Sequence, residues 1–431
     1  MSDTDRGTFE NFARSLDPDW IEEALELSGT ASVRRRRIPA DMVVWLVLGM
    51  ALFRDESMSA IIRTLGLSLP DAKGRSITRG AVAQARERLG EEPLRWLFVK
   101  SAQKWARESV DRHRWRGLRI YGVDGTTVRV PDSSANRAHF GGQRGRDGET
   151  SGYPLVRLVT LMALRSHLLA GASFGPYASE HAYAKDLWPL VPDDSLVCVD
   201  RAFFAANILV PLHATARNRH WLTRAKKTNV WRVVQRFANG DELVEMEVSK
   251  EARRANPELP ETWQMRAIRY ERKGFPPQTL LTSLVDPKAF PRKEVVALYH
   301  ERWELELGFD EVKTEMLERE EAIRSQTPKG VAQELWGVAV AYNLVRLELE
   351  RVAALVGVPP TRMSFIEGLW TLRAELRIAG YASPGTLPKR VARWRQDLAR
   401  FVLPPRRSKR LFPRAVKIKM SNYPRKRPVV K

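Results

Sequence analysis

Three carboxylates and one mixed stripe of side chains stand out in this 431-residue chain as groups whose types and spacing could do chemistry. Asp124 follows the apolar run LRIYGV and Asp200 follows LVCV, each at the end of a segment that reads as a strand apolar on both faces. A carboxylate in that position is partly desolvated, which is unfavourable unless a cation or strong donors compensate. Either aspartate alone fits a strand-capping turn, Asp124 all the more because Gly125 follows it; the pair together favours a shared role.

Glu306 is the third acid. Residues 291–316 carry helical periodicity, and at about 100° per residue Tyr299, Arg302, Glu306 and Lys313 fall within an arc of about 60°. Leu305, Phe309, Val312 and Met316 flank the arc on one side and Val296, Trp303 and Leu307 on the other, so the stripe runs through the middle of a packing face. Glu301, Glu304, Glu311 and Glu315 fall on the opposite face, where solvation is expected. An ordinary Arg302–Glu306 surface pair, worth about 0.3–0.5 kcal/mol, belongs on that exposed face instead. Two aspartates and a helix-borne glutamate form a hard-oxygen set suited to Mg²⁺ or Mn²⁺ and to two-ion phosphoryl transfer. Arg302 and Lys313 would then face a phosphodiester rather than each other, with Tyr299 offering its ring or hydroxyl to the nearby backbone.

The elements that must position these groups change character along the chain. Residues 1–110 read as an all-helical domain: DPDWIEEALELSG has a helical apolar pattern, Ala40 to Phe53 is apolar throughout, and Arg79 to Ala106 continues the period. From Leu118 onward, β-rich runs alternate with helical ones such as Ala202 to Leu212, which predicts an α+β or α/β core beginning at residues 111–227. Residues 228–277 read as a small β insertion, and 278–385 as the rest of the core, with long helices over 291–316, 330–355 and 363–378. The Ser-, Gly- and Arg-rich stretch from Asp132 to Gly152 is too long for a simple turn.

Composition narrows the partner. The formal net charge is +21, and eleven Lys or Arg with no acid lie between Pro404 and Lys431, so residues 386–431 read as a basic, extended tail that orders on phosphate. Arg34, Arg35, Arg36 and Arg37 form a second cluster at a helix entrance, where they oppose the helix dipole and call for an outside partner such as DNA. A single cysteine, Cys198, excludes a disulfide framework and reads as a packing residue. The longest apolar run, twelve residues from Met42 to Phe53, is short of a bilayer span, and the polar N-terminus carries no secretory pattern. A cytoplasmic protein without membrane contact is expected.

The spacing Y-x2-R-x3-E-x6-K at Tyr299, Arg302, Glu306 and Lys313 resembles the signature of DDE transposases of the insertion-sequence-four type. The likeness extends to VDGTT around Asp124, VPDSSANRAHFG, VDRAFF around Asp200, LLTSLVDP, ELWGVAVAYNLVR, and RRRRIPADMVVWLVLGMALFRD in the helical head. It implies an RNase H-like, retroviral-integrase-like core split by a β-strand insertion between the second aspartate and the glutamate. Asp124, Asp200 and Glu306 would be metal ligands for Mg²⁺ or Mn²⁺, with no small-molecule cofactor, and Tyr299, Arg302 and Lys313 contacts to DNA. The resemblance further implies binding of terminal inverted repeats and target DNA, a synaptic homodimer, and end joining, in relatives through a hairpin. An insertion tryptophan stacks on a flipped base in relatives; Trp231 and Trp263 are both candidates. Ala202 stands where a glycine often follows the second Asp-Arg. Glu180 fits either a family element or a helix cap, and Arg157 and Lys226 either contacts to phosphate or a solvated surface. Two other functions remain open, a catalytically inactive or domesticated sequence-specific DNA-binding protein and a plain nuclease.

Overall fold

The computed structural model describes residues 16–31, 38–67, 77–144, 150–214, 217–272, 276–318, 323–379 and 386–405. Arg34 to Arg37 and the cationic stretch from 406 onward lie outside the described residues.

Five helices come first: α1 (Pro18–Leu27), α2 (Ala40–Leu52), α3 (Met58–Thr64), α4 (Arg79–Leu89) and α5 (Glu92–Arg112). Local chemistry sets α1: the Asp17 carboxylate accepts the Asp19 N–H, Pro18 opens the first turn, and Gly29 turns the chain away at φ +66°. α2 has no polar face and is buried except at Asp41, as a helix apolar all round must be.

The sheet that follows has nine strands: β1 (Arg119–Arg129), β4 (Leu155–Ala163), β5 (Leu169–Pro176), β6 (Ser195–Val199), β7 (Arg219–Arg224), β8 (Arg232–Ala238), β9 (Asp241–Glu247), β10 (Thr262–Tyr270) and β11 (Gln278–Thr282). A separate pair, β2 (Gln143–Arg144) and β3 (Thr150–Ser151), and helix α6 (Ser134–Phe140) occupy much of the stretch expected to be irregular. The sheet order is β5-β4-β1-β6-β7-β11-β10-β9-β8. Its first five strands form the RNase H-like core: β1, β4 and β5 are an antiparallel meander, and β6 and β7 add parallel to β1. Parallel strands need crossovers; α7 (Glu180–Lys185) precedes β6, and α8 (Ala206–Ala214) joins β6 to β7.

The inserted strands are continuous with this sheet. β11 pairs antiparallel with β7, and β10, β9 and β8 follow in sequence, so the insertion's backbone bonds run directly into the core, and the boundary expected at 277 falls just before β11. Within it, Arg266 is fully buried and holds Asp241 through two bonds, Nε–Oδ1 of 2.7 Å and Nη2–Oδ2 of 2.6 Å, while its Nη1 donates to the Phe290 carbonyl at 2.6 Å. Such a bidentate pair satisfies both charges and ties the insertion to the entrance of the helices that follow. Helix α9 (Lys250–Ala255) links β9 to β10.

Beyond the sheet lie α10 (Arg292–His300), α11 (Trp303–Asp310), α12 (Pro328–Val356), α13 (Phe365–Ala379) and α14 (Leu387–Leu398). α12 is the spine of the molecule. A methyl group at Gly337 would lie 2.5 Å from Val47 Cγ1, so only glycine lets α2 approach this closely. Trp336 packs on both Phe98 of α5 and Phe174 of β5. Beside them Glu334, 2% exposed, receives Arg54 and Arg86 at 3.4 Å each, so the helical head and the core share one interior. α14 differs from the expectation of a flexible tail beginning at 386: Trp394 and Leu398 are buried, and Arg395 Nη2 meets Glu348 of α12 at 2.7 Å. The many cations of this segment masked an amphipathic helix. No helix among the described residues is long and apolar enough to cross a membrane.

Candidate active site

Asp124 is an interior residue of β1, not the end of a strand. β6 stops at Val199 opposite Val123, whereas β4 continues alongside, with Thr160 opposite Asp124. The sequence loses its apolar character at Asp124 because residues 124–127 leave the buried layer for a half-buried margin, not because the strand ends. Asp200 is the first residue past β6, so the two aspartates occupy neighbouring positions on adjacent strands.

Glu306 lies on α11, which crosses β1 where Gly122 leaves room: a methyl there would meet Leu305 Cδ1 at 2.7 Å. The segment from Tyr299 to Lys313 is not the uniform helix that a constant 100° step assumes. α10 ends at His300, and the amides of Glu301, Arg302, Glu304 and Leu305 each bond three residues back at 2.9–3.1 Å. A wider π-helical turn spans Glu311–Met316, closed by the Leu317 N–H bonding five residues back to Val312 at 2.9 Å. Tightening followed by widening re-aims the stripe, and such turns recur at functional sites.

Arg302 sits between the acids. Its Nη2 donates to Glu306 Oε1 at 3.0 Å and its Nη1 lies 3.6 Å from Asp124 Oδ2, so it engages carboxylates, contrary to the expectation that it faces away from Glu306. The pair lies partly buried, Arg302 at 16% side-chain exposure and Glu306 at 40%. Burial pushes the Asp124 carboxyl up to about 6; the Gly125 N–H and Arg302 pull the other way, and Glu180 and Asp200 add to the rise. The Arg302 guanidinium is held above its ordinary value: burial works against it and is outweighed by Tyr299, Asp124, Asp200 and Glu306. Tyr299 is buried, and its hydroxyl is pushed up to about 12 by desolvation, against the nearby Arg302. Lys313 Nζ donates to Thr126 Oγ1 of β1 at 3.2 Å and is lowered by desolvation and by Arg129.

Beside Asp200 opens a cleft of about 190 Å³, lined by Arg224, Tyr270, Tyr299, Arg302 and Trp303 among others. Trp303 is 50% exposed at its mouth. The sequence reading placed this tryptophan with the packing residues; its position next to Arg302 in the signature was the available signal. Of the two insertion tryptophans, Trp263 stacks on Trp221 at 5.4 Å and Phe204 at 5.5 Å, a packing role at the seam between insertion and core. Trp231 is half-buried at the start of β8 and does not line the cleft. Cys198 is buried in β6.

On the other face of the signature segment the glutamates are not solvated, which corrects the expectation. Arg165 holds Glu301 with bonds of 2.8 and 2.9 Å, His167 Nε2 meets Glu304 at 2.9 Å, and Glu311 accepts from Tyr342 at 2.8 Å and from Arg346, whose Nε lies 2.8 Å away. These partners come from the β4–β5 turn and from α12, and burial lowers Arg346 to about 9. Glu180 is likewise no cap: Ser179 caps α7, and Glu180 pairs with Arg157 at 2.6 Å. Arg157 is correspondingly not a solvated cation, and it also lies over the Tyr177 ring.

Carboxylates on neighbouring strands and a helix-borne glutamate set on an RNase H-like sheet are the arrangement expected of a DDE enzyme. The profile described as Transposase DDE domain matches residues 115–344, and that described as Insertion element 4 transposase N-terminal matches residues 6–99. The chain is 37% identical to the transposase InsG of insertion sequence IS4 from Escherichia coli over 411 residues, 95% of this chain and 92% of that one. It is 38% identical over 218 residues to the putative transposase InsZ of the same organism, covering 50% of this chain and 71% of that one. A solved piggyBac transposase synaptic complex with hairpin DNA aligns with a TM-score of 0.44 at 11% identity, over 94% of this chain and 86% of that one. The chain belongs to the IS4 family of DDE transposases, enzymes that move DNA by cutting and rejoining it.

Domains of this class use divalent metal ions. Among the described residues, no three acidic, histidine or cysteine side chains stand close enough to hold one as they are. The donor chemistry nevertheless fits a cation, because a guanidinium already bridges Asp124 and Glu306 as a stand-in charge.

Proposed function

We propose that Asp124, Asp200 and Glu306 are the metal-holding carboxylates with which this transposase cleaves DNA at its element's terminal inverted repeats and joins the 3′ ends to target DNA. The observation that carries the reading is that Asp124 and Glu306 pair with one guanidinium while Asp200, on the neighbouring strand, lies near enough to raise it further. Mg²⁺ or Mn²⁺, as a pair of ions, would supply Lewis-acid stabilisation of the attacking and leaving oxygens. The protein's own groups do the rest. Lys313, poised at Thr126, meets a phosphate near the cut. Tyr299, Tyr270 and Trp303 offer aromatic surface beside Arg224 and Asp200, suited to one extrahelical base. Arg34 to Arg37 and the cationic end of the chain contribute sequence-independent attraction, and two copies pair the element's ends in a synaptic complex inside the bacterial cell.

A domesticated binder is disfavoured because desolvated acids beside phosphate weaken binding and serve only cleavage. The test is cleavage of DNA carrying the element's ends, with Mg²⁺, by the full chain and by Asp200→Asn and Glu306→Gln. Each substitution is expected to slow cleavage on the order of 10³-fold with DNA affinity retained. Undiminished cutting by either variant overturns the assignment.

A further inference from the structure

The metal-holding residues and the residue that reads phosphate are not independent here. Arg302 neutralises part of the acidic cluster, reaching Glu306 at 3.0 Å and Asp124 at 3.6 Å, from a position only 16% exposed. A guanidinium in that place occupies lone pairs that a divalent ion would need. It also lines the open cleft beside Asp200, where Arg224 and Arg272 add further positive charge that would hold a phosphodiester. The guanidinium therefore has two alternative partners within one side-chain swing: the carboxylates, or a DNA phosphate.

We propose that Arg302 couples metal loading to DNA engagement: in the free protein it blocks the carboxylates, and a phosphate entering the cleft draws it away and releases them to the ions. The inference rests on the carboxylate reading above. Linkage makes the coupling reciprocal, so bound metal must also strengthen the hold on DNA by the same factor. The consequence is an enzyme that assembles its cutting centre only on DNA.

The experiment counts bound Mn²⁺ by electron paramagnetic resonance on the full chain, alone and with a duplex of the element's terminal sequence containing a non-hydrolysable linkage at the cut. Asp200→Asn with the same duplex gives the ions held by DNA and surface, which are subtracted. For the parent, the duplex is expected to tighten Mn²⁺ binding at least fivefold, the lower end of ordinary coupling between sites. Without DNA, Arg302→Gln is expected to bind Mn²⁺ at least fivefold tighter than the parent, with the duplex adding nothing further. Arg302→Lys, which keeps the charge but cannot span both carboxylates, falls between them. Arg232→Gln removes an exposed cation of β8, paired with Glu245 away from the cleft, and should change affinity less than twofold. Equal tightening by Arg232→Gln and Arg302→Gln, or a parent indifferent to DNA, overturns the coupling. Parent-like Mn²⁺ binding by Asp200→Asn overturns the carboxylate reading instead. Loss of the ions in Asp200→Asn, with no gain in Arg302→Gln, sinks the coupling alone.

Discussion

One short helical segment carries two acidic clusters on opposite faces. Glu301, Glu304 and Glu311 meet Arg165, His167, Tyr342 and Arg346, and every one of these acids has a cation or donor at hydrogen-bond distance. Glu306 and Asp124 share Arg302, with Asp200 close enough to act on it. Both clusters are partly or wholly withdrawn from water, yet only the second leaves negative charge over. Burial alone does not distinguish a structural acid from a working one; the ratio of carboxylates to compensating groups does. The saturated cluster fixes the segment, and the under-compensated one is where the proposed metal ligands lie.

The contrast fails if the saturated side proves dispensable. Glu311→Ala leaves the Arg346 guanidinium buried without the carboxylate it bonds, and a loss of about 3–5 kcal/mol in unfolding free energy is expected. Denaturant unfolding of the two proteins reads it, and a change under about 1 kcal/mol would make this cluster ornamental.

The opposite sign is expected on the other face. Because the Asp124 carboxyl is pushed up to about 6 in the folded protein, the folded state holds a proton more readily than the unfolded one between about pH 4 and pH 6. Ionised Asp124 therefore opposes folding above about pH 6 and ceases to do so below about pH 4. With a chelator present, Asp124→Asn should stabilise the protein by about 2 kcal/mol at pH 7.5, the gain fading towards pH 4. Thermal melts across that range measure it; a pH-independent gain would point to packing instead of charge.

The smallest effect concerns the cations. Lys313→Ala should weaken DNA binding by about 1 kcal/mol and reduce the slope of log affinity against log salt by about 1, as one lost phosphate contact would. Arg346→Lys, on the saturated face, should leave that slope unchanged.

Much of this arrangement was legible in the sequence. The apolar runs before Asp124 and Asp200 are the central strands β1 and β6, and the helix that carries Glu306 crosses β1 at Gly122. What escaped was long-range. The solvent face assigned to Glu304 and Glu311 is covered by His167, from a β-turn 137 residues before Glu304, and by Arg346, 35 residues after Glu311. Helical periodicity identifies an apolar stripe facing a core but has no means of showing that the opposite stripe is covered as well. A constant angular step likewise misses the tightened turn at Glu301 and Arg302 and the wide one at 311–316. Trp303 was legible in type and misread in environment, since the cleft that exposes it is assembled from β7, β10, β11 and α10 together.

The seating of α2 on α12, with Val47 against Gly337 and Arg54 and Arg86 closing over Glu334, bears on how such enzymes can diverge. A head joined through an interior of this kind is not an exchangeable cassette. A fragment beginning near residue 111 would present an apolar trough to water and a buried glutamate stripped of both its arginines, and would aggregate rather than fold. Grafting the head of another family member onto this core would require the facing surface of α12 to change with it. Head and core are thereby inherited together, and changes to either must arise by substitution within one lineage.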